Sequence, residues 1–298
     1  MLKLGILDFD TSHVVEFTKR LNHTGIDPSQ WVDGARVVIG CPGESTIAAD
    51  RIPGYRKQMQ ELGVPLVEKP EEMIGKVDGM LIESLQGSQH LARARPFLEA
   101  GIPCFIDKPF TNGVADALRL IELSEKHKAP IFSSSSLRYA PELVQFLAHA
   151  KAGKLTGALA YGPAHLHEGN PGLFHYGIHA VEILFTLMGG GCDRVACTHE
   201  AGAEVVVGHW KDGRVASVRG LRAGKNSVFG FVAFTEQGVF PVPVGTRDIY
   251  RELLKQVVQF FRDRKPPLDI RVSLEIVAFI EGALKSAGKH GAPELIEL

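Results

Sequence analysis

The chain has 298 residues, of which 45% are hydrophobic, and its 33 Lys and Arg residues nearly balance its 34 Asp and Glu residues, giving a net charge of -1. This composition is that of a soluble globular protein long enough for two domains, and it excludes disordered and fibrous classes. The balanced charge gives no electrostatic reason to expect nucleic acid as a partner.

Cysteine use and hydropathy bear on the cellular compartment. The cysteines stand singly in apolar segments, without the close spacing of a zinc or redox motif; they are Cys41, Cys104, Cys192 and Cys197. We expect reduced, buried thiols. No apolar run reaches the roughly 18 residues of a membrane span. The sequence therefore predicts a cytoplasmic protein that does not contact membranes.

Short apolar runs alternate with amphipathic segments over the first 130 residues, which is typical of βαβ units and a doubly wound parallel sheet. The predicted strands cover residues 2–8, 35–40, 64–68, 78–84, 102–107 and 130–134. The predicted helices cover residues 12–22, 54–62, 70–75, 88–100 and 113–127. In the last helix, the spacing places Val114, Leu118 and Ile121 on one stripe that should face the sheet.

After about residue 150, strands of period two replace this alternation. They are predicted at residues 155–163, 193–199, 203–210, 214–220, 228–235 and 238–243. Asp212-Gly213 and Gln237-Gly238 predict hairpin turns between them. Helices near 173–188, 247–263 and 272–287 complete an α+β domain with a mostly antiparallel sheet. The predicted domains are residues 1–130 and 131–298.

Four stretches of the chain carry recognisable motifs, in this order: Ile82–His90 (IESLQGSQH), Phe105–Phe110 (FIDKPF), Gly172–Leu184 and Ser273–Gly291. The second resembles the Glu-Lys-Pro signature of the Gfo/Idh/MocA family, named for glucose-fructose oxidoreductase and inositol dehydrogenase, with Asp107 in place of the glutamate. The first resembles that family's fourth strand end, loop and histidine. The third and fourth are similar to its Asp-x-Gly-x-His helix and its closing helix.

This resemblance implies a Rossmann domain followed by a domain with a large open sheet that is often used for oligomerisation. It implies an oxidoreductase that uses NAD or NADP and transfers hydride to or from a sugar, cyclitol or related polyol. A small carbohydrate-like substrate and a homodimer or homotetramer are the expected partners.

The same resemblance implies the catalytic residues. Oxidation of a carbinol needs a base and a positive group near the hydroxyl oxygen, and Lys108 and His179 fit these roles. Family members have an aspartate four residues before the histidine, where this chain has His175. Residues four apart lie on one helix face, so His175 and His179 should point into one cleft, and His175 is a further catalytic candidate.

The stretch LGILDFDTSH at residues 4–13 is a strand that runs into the turn where a glycine-rich phosphate loop is expected. Asp8 and Asp10 stand at the first two glycine positions, where they would crowd and repel a pyrophosphate. Asp10 or Thr11 is predicted instead as the N-cap of the following helix. The candidate cofactor-binding residues are Asp8, Phe9, Asp10, Thr11, Ser12, His13, Ser84, Gln86, His90, Asp107 and Lys108.

A second feature of dinucleotide sites is also missing. An acidic residue at the end of the second strand usually binds the ribose hydroxyls, but residues 38–43 offer none. Two alternatives therefore stay open. One is a ligand-binding or regulatory homologue that has lost cofactor binding. The other is a phosphatase of the haloacid dehalogenase type that would use Asp8 and Asp10.

The remaining candidates lie in the second half of the chain. Arg138, Tyr139, His165 and His167 are predicted to contact the substrate. His175 and His179, with a third imidazole, could also form a zinc site. Because histidine pairs more often line pockets or satisfy hydrogen bonds, the sequence assigns no metal site.

Overall fold

The computed structural model describes residues 1–149, 153–225 and 227–298. The chain forms two compact units. Unit 1 contains Met1–Thr111, Ala115–Ser134 and Tyr250–Ile270, and unit 2 contains Asn112–Val114, Ser135–Ile249 and Arg271–Leu298.

Unit 1 is built on a parallel sheet that, within the described residues, has five strands in the order β2-β1-β3-β4-β5. The strands are β1 Leu2–Leu7, β2 Ala35–Cys41, β3 Gly79–Ile82, β4 Cys104–Ile106 and β5 Ile131–Ser133. The helices are α1 His13–Asn22, α2 Ile52–Glu61, α3 His90–Glu99 and α4 Val114–His127. β3, β4 and β5 are buried along their whole length, as expected for a parallel sheet covered on both faces. This confirms the predicted doubly wound fold.

A fifth helix of unit 1 comes from far along the chain. This helix, α7 Ile249–Asp263, is amphipathic and packs on the parallel sheet through aromatic side chains. The Phe260 ring lies 5.8 Å from the Phe132 ring, and the Phe261 ring covers Gly79 so closely that a Cβ there would lie 2.5 Å from it. The structure thus differs from a division at residue 130, since the apolar face of α7 is covered by the first unit.

Unit 2 contains a sheet of seven strands within the described residues, in the order β11-β10-β6-β9-β8-β7-β12. The strands are β6 Leu155–Pro163, β7 Cys192–Glu200, β8 Ala203–Trp210, β9 Val215–Leu221, β10 Phe229–Thr235, β11 Gly238–Val244 and β12 Glu294–Leu295. Its helices are α5 Pro141–Leu147, α6 Ile178–Met188 and α8 Ile270–Gly288. β6 and β9 pair in parallel and the other neighbours are antiparallel, which confirms the predicted mostly antiparallel sheet.

The structure confirms several local predictions. The predicted hairpins connect β8 to β9 through Asp212-Gly213 and β10 to β11, although the turn residues of the second are Glu236 and Gln237, since Gly238 already pairs with Thr235. Gly213 has a φ of 88°, and Asp212 accepts a hydrogen bond from the Arg214 amide, which stabilises the first turn. The four cysteines are buried free thiols. Among the described residues, none of the helices is both long enough and apolar enough to span a membrane.

Other local predictions are wrong. Residues 64–68 do not form a strand, because only Leu66 bridges to the sheet, opposite Gly40. In α4, Ala117 and Leu120 are the buried residues, whereas Leu118 is 44% exposed, so the apolar stripe is rotated from the predicted one. The short elements α5 and β12 were not predicted, since seven and two residues carry too little periodicity.

Candidate functional site

The carboxyl ends of β1, β3 and β4 lie side by side in the sheet of unit 1, where open α/β sheets bind their ligands. The segments that follow these strands begin at Asp8, Glu83 and Asp107. Each strand therefore places a carboxylate at the same edge of the sheet.

Asp8 stands at the first glycine position and keeps a glycine-like backbone, with a φ of 66°. Aspartate tolerates this left-handed conformation better than most residues. Its Oδ2 accepts hydrogen bonds from Ser84 Oγ at 2.5 Å and from Arg93 Nε at 2.9 Å. Burial raises the pKa of Asp8 to about 6, although the Arg93 charge and the Ser84 hydrogen bond oppose this shift.

Asp10 stands at the second glycine position and does not cap the helix. Its Oδ1 accepts a hydrogen bond from the Leu85 amide at 2.9 Å, and α1 begins only at His13, with Ser12 before it. The predicted N-cap at Asp10 or Thr11 is therefore wrong, because the Leu85 amide binds the Asp10 carboxylate and Thr11 lies one residue too early. Thr11 Oγ1 lies 3.5 Å from the His13 amide nitrogen.

His13 stands at the third glycine position of the same fingerprint. Its Nδ1 lies 2.7 Å from Asp107 Oδ2 and 3.6 Å from Glu83 Oε2, and Lys108 Nζ lies 3.7 Å from Asp107 Oδ2. We call these four residues the His13 cluster. All four are buried, and Glu83 is 0% exposed. The His13 ring also stacks on Phe17 at 4.8 Å, which fixes its orientation.

Charges within the His13 cluster shift the pKa values of its members. Burial disfavours the charged form of His13, but the charge and hydrogen bond of Asp107 outweigh it and raise the pKa to about 9. Burial also opposes ionisation of Asp107, yet the His13 and Lys108 charges hold its pKa well below the usual range. Burial, reinforced by the charge of Asp107, raises the pKa of Glu83 above its ordinary value.

The residues of the first turn do not fit a pyrophosphate placed as the glycine fingerprint places it. The amides of Asp8 and Phe9 donate to the carbonyl oxygens of Cys41 and Pro42, at 3.0 and 2.8 Å. Arg93 and the Leu85 amide are bound to the carboxylates of Asp8 and Asp10. Backbone carbonyl oxygens and carboxylates of the protein thus accept the hydrogen bonds of these four donors, which are not free for an anionic ligand. Phe9 is a core residue with 0% exposure.

The loop after β3 holds two further cofactor candidates. His90 is fully buried, with Nε2 at 2.8 Å from the Ser84 carbonyl and Nδ1 at 3.0 Å from the Phe110 carbonyl, and burial lowers its pKa. Both ring nitrogens therefore contact the backbone, and His90 fixes the loop instead of presenting a free ring nitrogen. Gln86 is half-buried and accepts a hydrogen bond from the Thr46 hydroxyl at 2.6 Å.

Three of the predicted histidines of unit 2, His165, His175 and His179, lie around Tyr176. His179 lies in the first turn of α6, and its Nδ1 is 2.7 Å from Ser135 Oγ. His175 precedes α6, so the prediction that His175 and His179 share a helix face is wrong. Residues 175–177 form a turn, and α6 begins only at Ile178. The His175 ring instead lies 5.1 Å from the His167 ring.

Other aromatic contacts complete this group. The His165 ring lies 5.6 Å from the Tyr176 ring, and the His179 ring lies 5.4 Å from the same tyrosine. His167 Nδ1 also accepts a hydrogen bond from the Gly169 amide at 3.1 Å. Unit 2 thus brings the predicted histidines into one neighbourhood, although by a different local geometry.

Arg138 is held by a buried carboxylate. Its Nε and Nη2 donate to Glu182 Oε2 at 2.9 and 2.6 Å, and the Ser135 amide donates to Glu182 Oε1 at 3.2 Å. The guanidinium therefore joins the 3₁₀ turn Ser136–Tyr139 to α6. Tyr139 is half-buried at the end of this turn.

Sequence reasoning did not select Glu83, Arg93, Ser135 or Glu182 as site residues, although all four make or complete the contacts above. Glu83 had a visible signal, because an acidic residue directly follows an apolar strand of a parallel sheet. The role of Arg93 had none, since its partner Asp8 is distant in sequence and the contact depends on the packing of α3.

Comparisons with known proteins agree with this architecture. The family model of the Gfo/Idh/MocA group, described as an oxidoreductase family with an NAD-binding Rossmann fold, matches residues 37–134. The match spans β2 to β5 and includes Lys108, but it leaves out β1 and the turn with Asp8 and Asp10. A comparison of the sequence with curated proteins gave no significant match.

Solved structures share the fold over the whole chain at low sequence identity. A probable dehydrogenase from Thermotoga maritima is 18% identical, with a TM-score of 0.79 and 99% of each chain covered. A myo-inositol dehydrogenase from Corynebacterium glutamicum is 14% identical, with a TM-score of 0.81 and coverage of 100% of this chain and 99% of that one. A myo-inositol dehydrogenase from Lactobacillus casei, in complex with NAD(H) and myo-inositol, is 15% identical, with a TM-score of 0.79 and coverage of 100% and 97%.

These similarities support the family resemblance that the sequence motifs indicate. The family model matches a third of the chain and the solved structures match its fold. The resemblance to the Gfo/Idh/MocA oxidoreductases is thereby confirmed, by the family model over residues 37–134 and by the two-domain fold over the whole chain.

Proposed function

We propose that this chain is an oxidoreductase that acts on a polyhydroxylated compound of the sugar or cyclitol class. The observation that carries the proposal is the position of Lys108, whose amine is held 3.7 Å from Asp107 at the carboxyl edge of the parallel sheet. The matched family segment contains this lysine, and solved relatives of the same fold are inositol dehydrogenases.

The Lys108 amine can interact with the oxygen of a substrate carbinol. A positive group near that oxygen stabilises the negative charge that develops when the hydroxyl proton leaves. Asp107 keeps the amine in place through opposite charge, and the low exposure of both side chains strengthens this attraction. We therefore assign Lys108 to the reacting hydroxyl and Asp107 to its positioning.

In unit 2 we propose substrate contacts through the group around Tyr176. His179 is the catalytic candidate there, because its ring is fixed by Ser135 and by two aromatic neighbours, Tyr176 and Phe229. His175, His165, His167, Arg138 and Tyr139 are the further candidates. We also propose a homodimer or homotetramer, which light scattering on the purified protein would test.

NAD or NADP is the hydride carrier that the family suggests, and it supplies the oxidising equivalent when bound. Because Asp8 and Asp10 stand at the glycine positions and bind Ser84, Arg93 and the Leu85 amide, we do not place the dinucleotide on this turn. A second candidate function follows from the same observation. The carboxylates of Asp8 and Asp10 in the turn after β1 favour a protein that binds a sugar-like ligand without redox turnover.

Titration with NAD(H) and NADP(H) in a calorimeter decides between the two functions. Micromolar binding of either cofactor is the result expected for an oxidoreductase. Absence of binding at millimolar cofactor would overturn it in favour of the second candidate. The double variant Asp8→Gly, Asp10→Gly restores the glycines of the fingerprint and releases Arg93 and the Leu85 amide, so it should bind the cofactor about tenfold more tightly than the native chain. Asp50→Gly, at an exposed position, is the control.

The role of Lys108 is tested by substitution once turnover of myo-inositol or another polyol is measured. Lys108→Ala should lower kcat by about 100-fold or more, because the charge acts on the transition state. Lys57→Ala removes an exposed lysine and should leave kcat unchanged. An unchanged kcat/KM in Lys108→Ala would rule out the assignment, provided that circular dichroism shows a folded variant.

A further inference from the structure

The His13 cluster contains more buried carboxylate oxygens than its hydrogen bonds satisfy. Among the residues that the structure describes, Glu83 Oε1, Glu83 Oε2 and Asp107 Oδ1 have no hydrogen-bond partner. Glu83 is 0% and Asp107 1% exposed. Buried acceptors without a partner destabilise the folded state, so native structures almost always provide a donor or an ion for them.

Three separate elements bring their ligand atoms to the same point. His13 begins α1, Glu83 follows β3 and Asp107 follows β4. One ligand atom from each of these residues lies within 4.8 Å of the other two. Glu83 Oε2 faces His13 Nδ1 at 3.6 Å, and Asp107 Oδ2 faces the same nitrogen at 2.7 Å. The Glu83 carboxylate, which has no hydrogen-bond partner, thus points into the cluster.

We propose that His13, Glu83 and Asp107 bind a divalent transition metal ion, Zn²⁺ or Mn²⁺. An imidazole nitrogen and two carboxylate oxygens form a donor set that suits these ions, whereas Mg²⁺ and Ca²⁺ prefer oxygen ligands alone. Coordination would satisfy the carboxylate oxygens that lack donors. A glycine fingerprint has no side chain that could bind a metal ion, whereas His13 stands at its third glycine position here. Metal binding by this cluster does not depend on the proposed oxidoreductase activity.

Lys108 is compatible with this assignment. Its Nζ lies 3.7 Å from Asp107 Oδ2, beyond hydrogen-bond distance, so the lysine and a metal ion could both interact with Asp107. The proton that His13 shares with Asp107 must leave when the ion binds. The competing arrangement keeps that proton and balances the two carboxylates with His13 and Lys108, without a metal.

Metal binding to the untagged full-length chain separates these arrangements. The protein is treated with EDTA, dialysed, and titrated with ZnCl₂ and MnCl₂ in a calorimeter, with MgCl₂ as the comparison. We expect one Zn²⁺ or Mn²⁺ per chain with a Kd of about 10 μM or lower, and a higher Tm in the presence of the ion. Co²⁺ should give the absorption bands of a mixed nitrogen and oxygen ligand set.

Variants identify the ligands. Glu83→Gln and His13→Gln should weaken binding by about 100-fold, whereas Asp50→Asn and His290→Gln, at exposed positions, should bind as the native chain does. The proposal is overturned if the native chain binds neither ion at about 1 mM. This result is measured on the native chain and does not require a folded variant. The proposal is overturned equally if a folded Glu83→Gln variant binds with the native Kd.

Discussion

At the scale of single residues, the turn after β1 carries carboxylates at positions where a dinucleotide-binding turn would hold a phosphate. Asp8 accepts hydrogen bonds from the Ser84 hydroxyl and Arg93, and Asp10 accepts one from the Leu85 amide. In a dinucleotide fingerprint the amides of this turn and the N-terminus of the following helix bind phosphate, whereas here carboxylates stand at the first two glycine positions. The turn is therefore stabilised internally, and this is the physical reason to doubt a conventional cofactor site there.

Asp8 gives the first prediction, which concerns stability against pH. Its folded-state pKa of about 6 lies above the ordinary 3.8, so between these values the folded chain binds more protons at Asp8 than the unfolded chain. The Asp8 contribution therefore favours folding at low pH and is lost as the pH rises through 6. Arg93 and Asp10 are the charged groups that act on it.

The difference in unfolding free energy between the native chain and Asp8→Asn isolates this contribution. From pH 5 to pH 7.5 the native chain should lose about 1 kcal/mol relative to the variant. Urea unfolding of both proteins at these two pH values is the measurement. A difference that stays constant with pH would show that Asp8 titrates near its ordinary value.

Residue patterns predicted some of the site and missed the rest for identifiable reasons. The substitution of Asp8 and Asp10 for glycine was visible in the sequence, because fingerprint positions follow directly from a strand. The partners of these carboxylates come from 75 or more residues further along the chain and were not visible. Glu83 and His13 become a cluster only through the strand order β1-β3-β4, which alternating patterns do not specify.

At the scale of secondary structure, the buried pair Arg138–Glu182 joins the turn after β5 to α6. Removal of one partner leaves the other charge buried and uncompensated. Arg138→Leu should therefore lower the free energy of unfolding by about 3 kcal/mol, and the double variant Arg138→Leu, Glu182→Leu should recover part of this loss. Urea unfolding of the three proteins measures both effects.

An exposed ion pair provides the comparison for this experiment. Arg119 and Asp116 lie three residues apart on α4, with the Arg119 side chain 66% exposed. Arg119→Leu should change the free energy of unfolding by less than about 1 kcal/mol, since water screens the pair. An equal loss in Arg138→Leu and Arg119→Leu would contradict the structural role assigned to Arg138.

Element prediction succeeded where periodicity was long and failed where tertiary packing decides. β8 was predicted at its observed bounds, 203–210, because turn signals flank a β-branched run, and the observed strand alternates between half-buried and buried residues. The apolar face of α7 was equally clear, but periodicity does not say which sheet covers it. Its contacts with Phe132 and Gly79 are therefore information that only the three-dimensional structure supplies.

At the scale of the whole molecule, the last segment of unit 1 comes from near the end of the sequence. Tyr250–Ile270 belongs to this unit, although most of unit 2 precedes it in sequence. Buried α7 residues include Leu253, Leu254 and Val257, each 0% exposed. A fragment of residues 1–134 lacks this cover for its parallel sheet and should not unfold cooperatively, because the lost apolar burial exceeds the small net stability of a domain.

Restoring α7 in a different chain order tests this expectation. Residues 249–270 joined to residue 134 by a Gly/Ser linker should give a fragment with native-like circular dichroism and a cooperative urea transition. The same fusion with Leu253→Glu and Leu254→Glu keeps the length and helical propensity of the segment but cannot bury its apolar face. Equal transition midpoints for fragment 1–134, the fusion and the Glu variant would mean that α7 is dispensable for unit 1. A cooperative transition in the fusion alone would identify α7 as the element that completes the sheet domain.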